Sequence, residues 1–519
     1  MLSINISLPD IALALYAETH YRFPLFRFSR YFKREPEIIV DLPYRCENGR
    51  LPVTIIVKDA DKFPVEFVEP VKVEFKNAGE TFSQEIEIDG GIITDPLWSH
   101  LAELIIPFGR YAVQAKFAYR CRKKVIRAVN HNHAGLKFQS MTLHSAENPL
   151  PRPAGYLLGD LHVHSSYTSD HVEFGAPLNA IARTAKAMGL DLAAVTDHTY
   201  DLDDLPDNYL KNDPELRKWG NFQQEIRELN DSRDSQNAHL IPGQEITARN
   251  HRGENVHFLL LNNQRLFPGS GDSAERWFRT NSEFSIAEIL EQMEPEAIAG
   301  AAHPQVRIPF LQKLLLNRGP WRPEDLLPAL NALQIANGNT IEEVDEGLHL
   351  WEEALEAGKR FALWAGNDAH GNFNRYRQVN LPMWNLLENE YHVLGKQFTG
   401  IHSPSGTGGC LDALKEGCTY ISDGPGLDLM VDGVRPGGIV KAGIKKFRVE
   451  AVSSPEFGAM DDVEIVVDSG EDSPPFPVMM MDPCGGVGEF ELPLMQGYVY
   501  ARTVTDKQHF CVTSPVYVV

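Results

Sequence analysis

Between residues 37 and 145, apolar and polar side chains alternate in seven short runs: EIIVDL, VTIIVKD, VKVEFK, SQEIEID, AELIIP, YAVQAKFAY and LKFQSMTL. Alternation with period two buries one face of a strand and wets the other, so seven runs separated by turn residues predict an antiparallel β-sandwich-like domain over 1–150. The stretch ENPLPRPAG (147–155) carries three prolines, which cannot continue a ladder or helix, and reads as a linker. Beyond it the rhythm changes to apolar strands alternating with helical stretches, the signature of a βα architecture, and this persists to about residue 424. From 425 to 519, LDLMVDG, FRVEAVSS, DVEIVVD, GEFELP, YVYARTVT and SPVYVV again read as short strands, predicting a small C-terminal β domain.

Composition narrows the class of function. A chain of 519 residues has room for several domains, and its formal charge of -22 repels duplex nucleic acid and anionic membrane. Small substrates and metal ions remain as partners. The six cysteines (Cys46, Cys121, Cys410, Cys418, Cys484 and Cys511) form no C-x-x-C pair, so neither a disulfide framework nor a thiolate zinc site is expected. The N-terminal stretch lacks a basic n-region and contains Asp10 and Glu18, and no run of about 18 apolar residues appears, so a cytoplasmic protein is expected.

The middle section contains seven candidate strands: YLLGDLHV, LDLAAVTD, HLIPGQEI, NVHFLLLN, AIAGAAH, ALQIANG and RFALWAGND. Ligand-type residues collect at their ends. His162 and His164 close the first, with Asp170 in the loop beyond, and His198 follows the second. Glu245 ends the third, His303 the fifth, and Asp368 with His370 the seventh; His257 alone lies early in its strand. In a parallel barrel all C-terminal strand ends open on one face, so these residues, distant in sequence, are expected to converge there. Neutral imidazole and carboxylate oxygen suit zinc, manganese or iron, and a carboxylate bridges two ions about 3.5–4 Å apart. The H-x-H spacing places two imidazoles on one side of a strand. One histidine at a strand end is commonly just a hydrogen-bonded core residue; six of them beside three carboxylates are not.

The four motifs DLHVHSSYTSD, VTDH, AAHP and NDAH, in this order, resemble the polymerase and histidinol phosphatase (PHP) superfamily of metal-dependent phosphoesterases. The resemblance covers residues 159–423, and Glu245 and His257 match its further glutamate and histidine. Many members place the acid of the first motif one residue nearer, which leaves Ser169 or His171 as alternatives to Asp170. The resemblance implies an α/β fold, a distorted (β/α)7 TIM-like barrel over 155–424 flanked by N- and C-terminal β-sandwich-like domains. It also implies two or three divalent ions: one on His162, His164, Glu245 and Asp368, a second shared by Glu245 with His257 and His303, and a third on Asp170, His198 and His370.

The chemistry so implied is hydrolysis of a small phosphate mono- or diester or a short oligonucleotide by a metal-bridged hydroxide, with no serine or cysteine nucleophile. Arg249, Arg307, Arg375 and Arg377 follow ligand strands and are the candidate phosphate-binding cations. The same site suits hydrolysis of a carboxyl ester or carbamate, and a third reading is a non-catalytic binding protein. A proofreading role beside a polymerase is disfavoured by the chain's size and charge. Oligomeric state is not legible.

Overall fold

The computed structural model describes residues 33–132, 140–168, 175–205, 208–273, 281–308, 310–338, 340–371, 373–374, 378–381, 384–387, 392–460, 462–468, 476–480 and 485–519. Residues 37–146 form sheets of three and seven strands around a common core that includes Ile38, Val53, Ile55, Phe75 and Tyr119. The three-stranded sheet, Glu37–Asp41, Arg50–Lys58 and Leu97–Ile105, sends Ile39 and Ile56 into a different core, shared with the helix that follows the first H-x-H strand.

A single sixteen-stranded sheet carries the ligand-type residues. Numbering its strands from their start, β1 is Tyr156–His164, β2 Leu192–Val195, β3 His239–Arg249, β4 Asn255–Leu261 and β5 Ile298–Ala301. They are followed by β6 Ala332–Ala336, β7 Ala362–Ala365, β8 Ala369–His370, β9 Phe398–His402 and β10 Thr419–Ser422. The order is β7-β6-β5-β4-β3-β2-β1-β9-β10, continuing into Phe510–Thr513, Gly497–Val504, Asp462–Val467 and Phe476–Met480. The two residues of β8 pair in parallel with Val163 and His164, so the sheet curls until the end of β7 lies beside β1.

The expected (β/α)7 barrel is therefore corrected. Strand makes up 43% of the described residues and helix 17%, too little helix for a strand-helix repeat. The cause is local. Five residues, 250–254, join β3 to β4, and a parallel crossover needs a dozen or more, so the two strands form an antiparallel hairpin. The next strand, β5, is antiparallel to β4, and β9 is antiparallel to β1, so the parallel runs β1-β2-β3 and β5-β6-β7 are separated by antiparallel pairs. Nor does the C-terminal segment stand apart, because β10 pairs with Phe510–Thr513 inside the same sheet.

Helices cover parts of this sheet for ordinary reasons. Helix α1 (Leu178–Met188) buries Leu178, Ile181, Ala182, Ala185 and Met188, the i, i+3, i+4 stripe of an amphipathic helix. It stops at Gly189, whose φ of 100° suits a residue without Cβ. A second, α2 (Ile341–Glu356), opens on a capping box between Thr340 and Glu343 and buries Val344, Leu348, Trp351 and Leu355.

Candidate metal centre

The site grows from β1. A register shift between Asp160 and Val163 interrupts the alternation of β1: Leu161 enters one apolar core and Val163 another, and His162 and His164, flanking Val163, share the opposite face from it. Asp160 is an anchor: its carboxylate accepts from the backbone N–H of His162, Asn367 and Gly395 and from the Asn367 amide, fixing the Asp368 loop against β1. Burial raises its pKa to about 6 against those four stabilising bonds.

Glu245 on β3 is the centre. His198, just past β2, lies beside it through an isolated parallel bridge. His257 stands opposite Thr247 in the β3-β4 hairpin, and Thr247 is two residues from Glu245, so all three side chains share one face. Because β4 runs backwards, its beginning lies at the end where β3 finishes, which explains why this one ligand-type histidine is early in its strand. His303 follows β5, and Asp368 and His370 follow β7. His303 and Asp368 have φ of 30° and 51°, a conformation uncommon for non-glycine residues, though one that histidine and aspartate adopt more readily than most. Such strain persists where surrounding structure enforces it, and that occurs most at functional sites.

The donor atoms converge in three overlapping groups, each within 4.8 Å: His162, His164, Glu245 and Asp368; Glu245, His257 and His303; and His164, His198 and His370. Glu245 Oε2 lies 2.9 Å from His198 Nδ1, 3.5 Å from His162 Nε2 and 3.4 Å from His164 Nε2. Its Oε1 lies 2.5 Å from His257 Nδ1 and 3.4 Å from His303 Nε2. Asp368 Oδ1 is 3.3 Å from His162 and 3.0 Å from His164. His162, His164 and Glu245 are essentially without solvent contact.

Two observations test whether these residues fit metal ions. First, Glu245 Oε2, His198 Nδ1 and His257 Nδ1 are buried and make no hydrogen bond, although they face one another at contact distance. Donor atoms that converge without bonding one another suit a common cation. Second, the far nitrogens of several rings are occupied. His162 Nδ1 donates to Gln334 Oε1 at 3.0 Å, since the Gln334 amide nitrogen is spent on Asn337. His164 Nδ1 donates to Thr168 Oγ1 at 3.3 Å, whose own proton goes to Asp197 at 2.6 Å. His370 Nδ1 donates to the Asp368 carbonyl at 2.9 Å. These bonds commit the near nitrogens to present lone pairs, the arrangement that metal-ligating histidines use. The residues fit.

Electrostatics agree. Burial alone would raise Glu245 and Asp368, but the surrounding imidazoles hold both well below the ordinary carboxylate range. Burial lowers His162 and His164, yet Asp368 and Glu245 raise both on balance, His164 strongly. His257 rises to about 9 under Glu245 and Asp272, against burial and Arg318. His303 is pushed down to about 4, chiefly by burial. The interior is thus a negative field that pulls positive charge inward.

Of the nine ligand-type residues, the structure brings together His162, His164, His198, Glu245, His257, His303, Asp368 and His370. Asp170, with its neighbours Ser169 and His171, lies outside the described residues, as do Arg375 and Arg377. Arg307 turns to solvent and pairs with Glu346, and Arg249 pairs with Glu288 at 3.1 Å, so neither points to the cluster. Among the described residues Arg318 does touch it: its Nη1 is 2.9 Å from His257 Nε2 and 3.0 Å from Asp272 Oδ2. Neither Arg318 nor Asp272 is part of any motif; Asp272 sits in PGSGDS, whose composition says only "loop".

No protein-family model matches the chain, and no curated protein matches it. Among solved structures the chain is similar to Bacteroides uniformis beta-glucuronidase 2 covalently bound to cyclophellitol-6-carboxylate aziridine, at 8% identity and a TM-score of 0.17, over 93% of this chain and 61% of that one. It is also similar to Parabacteroides merdae beta-glucuronidase with glycerol in its active site, at 10% identity and a TM-score of 0.19, over 93% and 64%. A third is trypsin-activated alpha-2-macroglobulin from Escherichia coli, at 7% identity and a TM-score of 0.15, over 96% and 25%. The chain thus spans less than two thirds of each of these, and at such scores the likeness transfers neither fold nor chemistry.

Proposed function

We propose that the protein is a metal-dependent hydrolase acting on a small phosphate ester, with zinc, manganese or iron held at Glu245 and its neighbours. The observation that carries this reading is the convergence of six histidines and two carboxylates on one buried point, three of whose donor atoms bond to nothing else. When bound there, the ions supply Lewis-acid activation of water and neutralise charge on the ester. The chain's own residues do the rest. His162, His164, Glu245 and Asp368 hold one position, Glu245, His257 and His303 a second, and His164, His198 and His370 border a third. His303 is neutral at pH 7, because burial pushes it to about 4, and so offers a lone pair without first losing a proton. Gln334 and Thr168 take the outward N–H groups and hold the rings in place.

One observation favours keeping a carboxyl ester or carbamate as a second substrate class. Arg249, Arg307 and Arg318 are each already paired with an acid, so none of the three is a spare cation for a phosphate dianion. The test is an assay of metal-loaded protein on mono- and bis-p-nitrophenyl phosphate beside p-nitrophenyl acetate, with His162→Ala and Asp368→Ala as controls. Phosphate ester turnover that is metal-stimulated and lost in both folded variants is expected. Turnover of the acetate alone would move the substrate to the carboxyl class, and full activity in either variant would sink the site.

A further inference from the structure

Behind His257, on the side away from Glu245, lies a group of three residues given no role in metal binding so far: Asp272 and Thr247, both buried, and Arg318, half-buried. Asp272 occupies a turn some ten residues past β4 and is 8% exposed. Its Oδ1 accepts from the Thr247 hydroxyl. Its Oδ2 lies 2.9 Å from His257 Nε2 and accepts from Arg318 Nη1 at 3.0 Å. Two proton placements on His257 compete. If Nδ1 carried the proton, it would have to donate to Glu245 Oε1, and Nε2 would accept from Arg318, whose Nη1 is 2.9 Å away. Although Glu245 Oε1 is only 2.5 Å from Nδ1, the alignment a hydrogen bond requires is missing, and Nδ1 makes none. Nε2, by contrast, faces a carboxylate in bonding geometry. The proton therefore belongs on Nε2.

Resting on the metal-centre reading above, we propose that Asp272 is a positioning residue: by accepting the Nε2–H of His257 it commits Nδ1 to the position shared with Glu245 and His303. Arg318 supplies the counter-charge that balances Asp272 in a dry setting, and Thr247, on the same strand as Glu245, sets its distance. A carboxylate on the outer nitrogen of a ligating histidine both fixes the ring and increases its basicity, and losing one weakens metal binding about 10- to 100-fold.

The test uses the full-length chain loaded with zinc, its metal content followed by mass spectrometry during dialysis against graded chelator, and its imidazole nitrogens followed by 15N NMR. Asp272→Ala is expected to release one zinc equivalent at a chelator concentration about 10- to 100-fold lower than the native protein does. Asp272→Asn, which keeps a carbonyl oxygen for His257, is expected to fall between the two. Native protein is expected to show the His257 proton on Nε2. Zinc release unchanged in Asp272→Asn and Asp272→Ala, or a native proton on Nδ1, overturns the proposal; if the alanine variant does not fold, the asparagine variant decides. Glu245→Gln separates the two levels of argument. If it too keeps the native zinc content, the metal centre itself is wrong; if it loses zinc while the Asp272 variants do not, only the role of Asp272 falls.

Discussion

Thr168 shows how much of the centre is set by residues that carry no chemistry. Its hydroxyl has one proton, given to Asp197, so it meets His164 Nδ1 as an acceptor. Asp197 also takes the backbone N–H of Ser165 and Thr168 and the Ser165 hydroxyl, which pins the loop after β1. Thr168→Val keeps the shape but strands a buried imidazole N–H and one carboxylate position. We expect a loss of about 1–3 kcal/mol in urea unfolding and weaker zinc retention, both restored by Thr168→Ser. Native zinc retention in the valine variant would show that the hydroxyl does not orient His164. The eight residues that converge could be picked out in the sequence, because a polar side chain at or near the edge of an apolar strand is conspicuous. Their partners could not. Gln334 lies inside a strand pattern, Thr168 and Asp272 lie in polar loops, and only distance in space distinguishes them from any other polar residue. The same holds for two of the candidate arginines: Arg307 and Arg249 follow ligand strands, but each is paired with an acid on the protein surface, Glu346 and Glu288.

At the scale of elements, the strands were legible and their directions were not. Apolar runs mark β1 to β7, yet periodicity is identical in either direction, so NVHFLLL gives no sign that it runs antiparallel. The informative feature was the five-residue gap before it, which admits a hairpin and no crossover helix. Reversal of β4 is also what delivers His257 to the site. A second constraint is the close approach of the β7-β8 connection to β1. A Cβ at Gly366 would stand 2.5 Å from the His162 backbone nitrogen and 2.6 Å from its Cβ, while Asp368 N donates to His162 O at 2.8 Å. Backbone atoms yield poorly, so Gly366→Ala is expected to cost about 1–3 kcal/mol and to move Asp368 away from His162 and His164. Thermal unfolding together with zinc content checks this. A variant as stable and as zinc-replete as the native protein would show that the two segments have room to separate.

Across the whole molecule the parts are tied together by burial and charge. Arg45, in the N-terminal sheets, is buried and reaches Glu456 at 3.0 Å, Glu47 at 2.8 Å, the Met188 carbonyl that ends α1 at 2.8 Å and the Asn148 carbonyl at 2.9 Å. Among the described residues no helix is long and apolar enough to cross a membrane. With three regions coupled this way, charge at the metal centre acts on the stability of the molecule through its pH dependence. Without a cation, Glu245 and Asp368 are held below their ordinary 4.5 and 3.8, so their stabilisation is present above those values and is lost as pH falls through the depressed ones. His162 and His164 are raised from 6.5, and His257 reaches about 9; their stabilisation is full below 6.5 and is lost as pH climbs through the raised values. His303, held near 4, works the other way by disfavouring the fold as pH drops below 6.5, one ring against three. The metal-free melting temperature is therefore expected to peak between about 4.5 and 6.5 and to decline towards pH 9. Zinc needs neutral imidazole, so it gains binding over the range in which the metal-free protein loses stability. Calorimetry from pH 5 to 9 with and without zinc should show the gap between the two curves widening with pH, and Glu245→Gln should abolish the widening. A constant gap would mean that the histidines are not the groups that bind the ion.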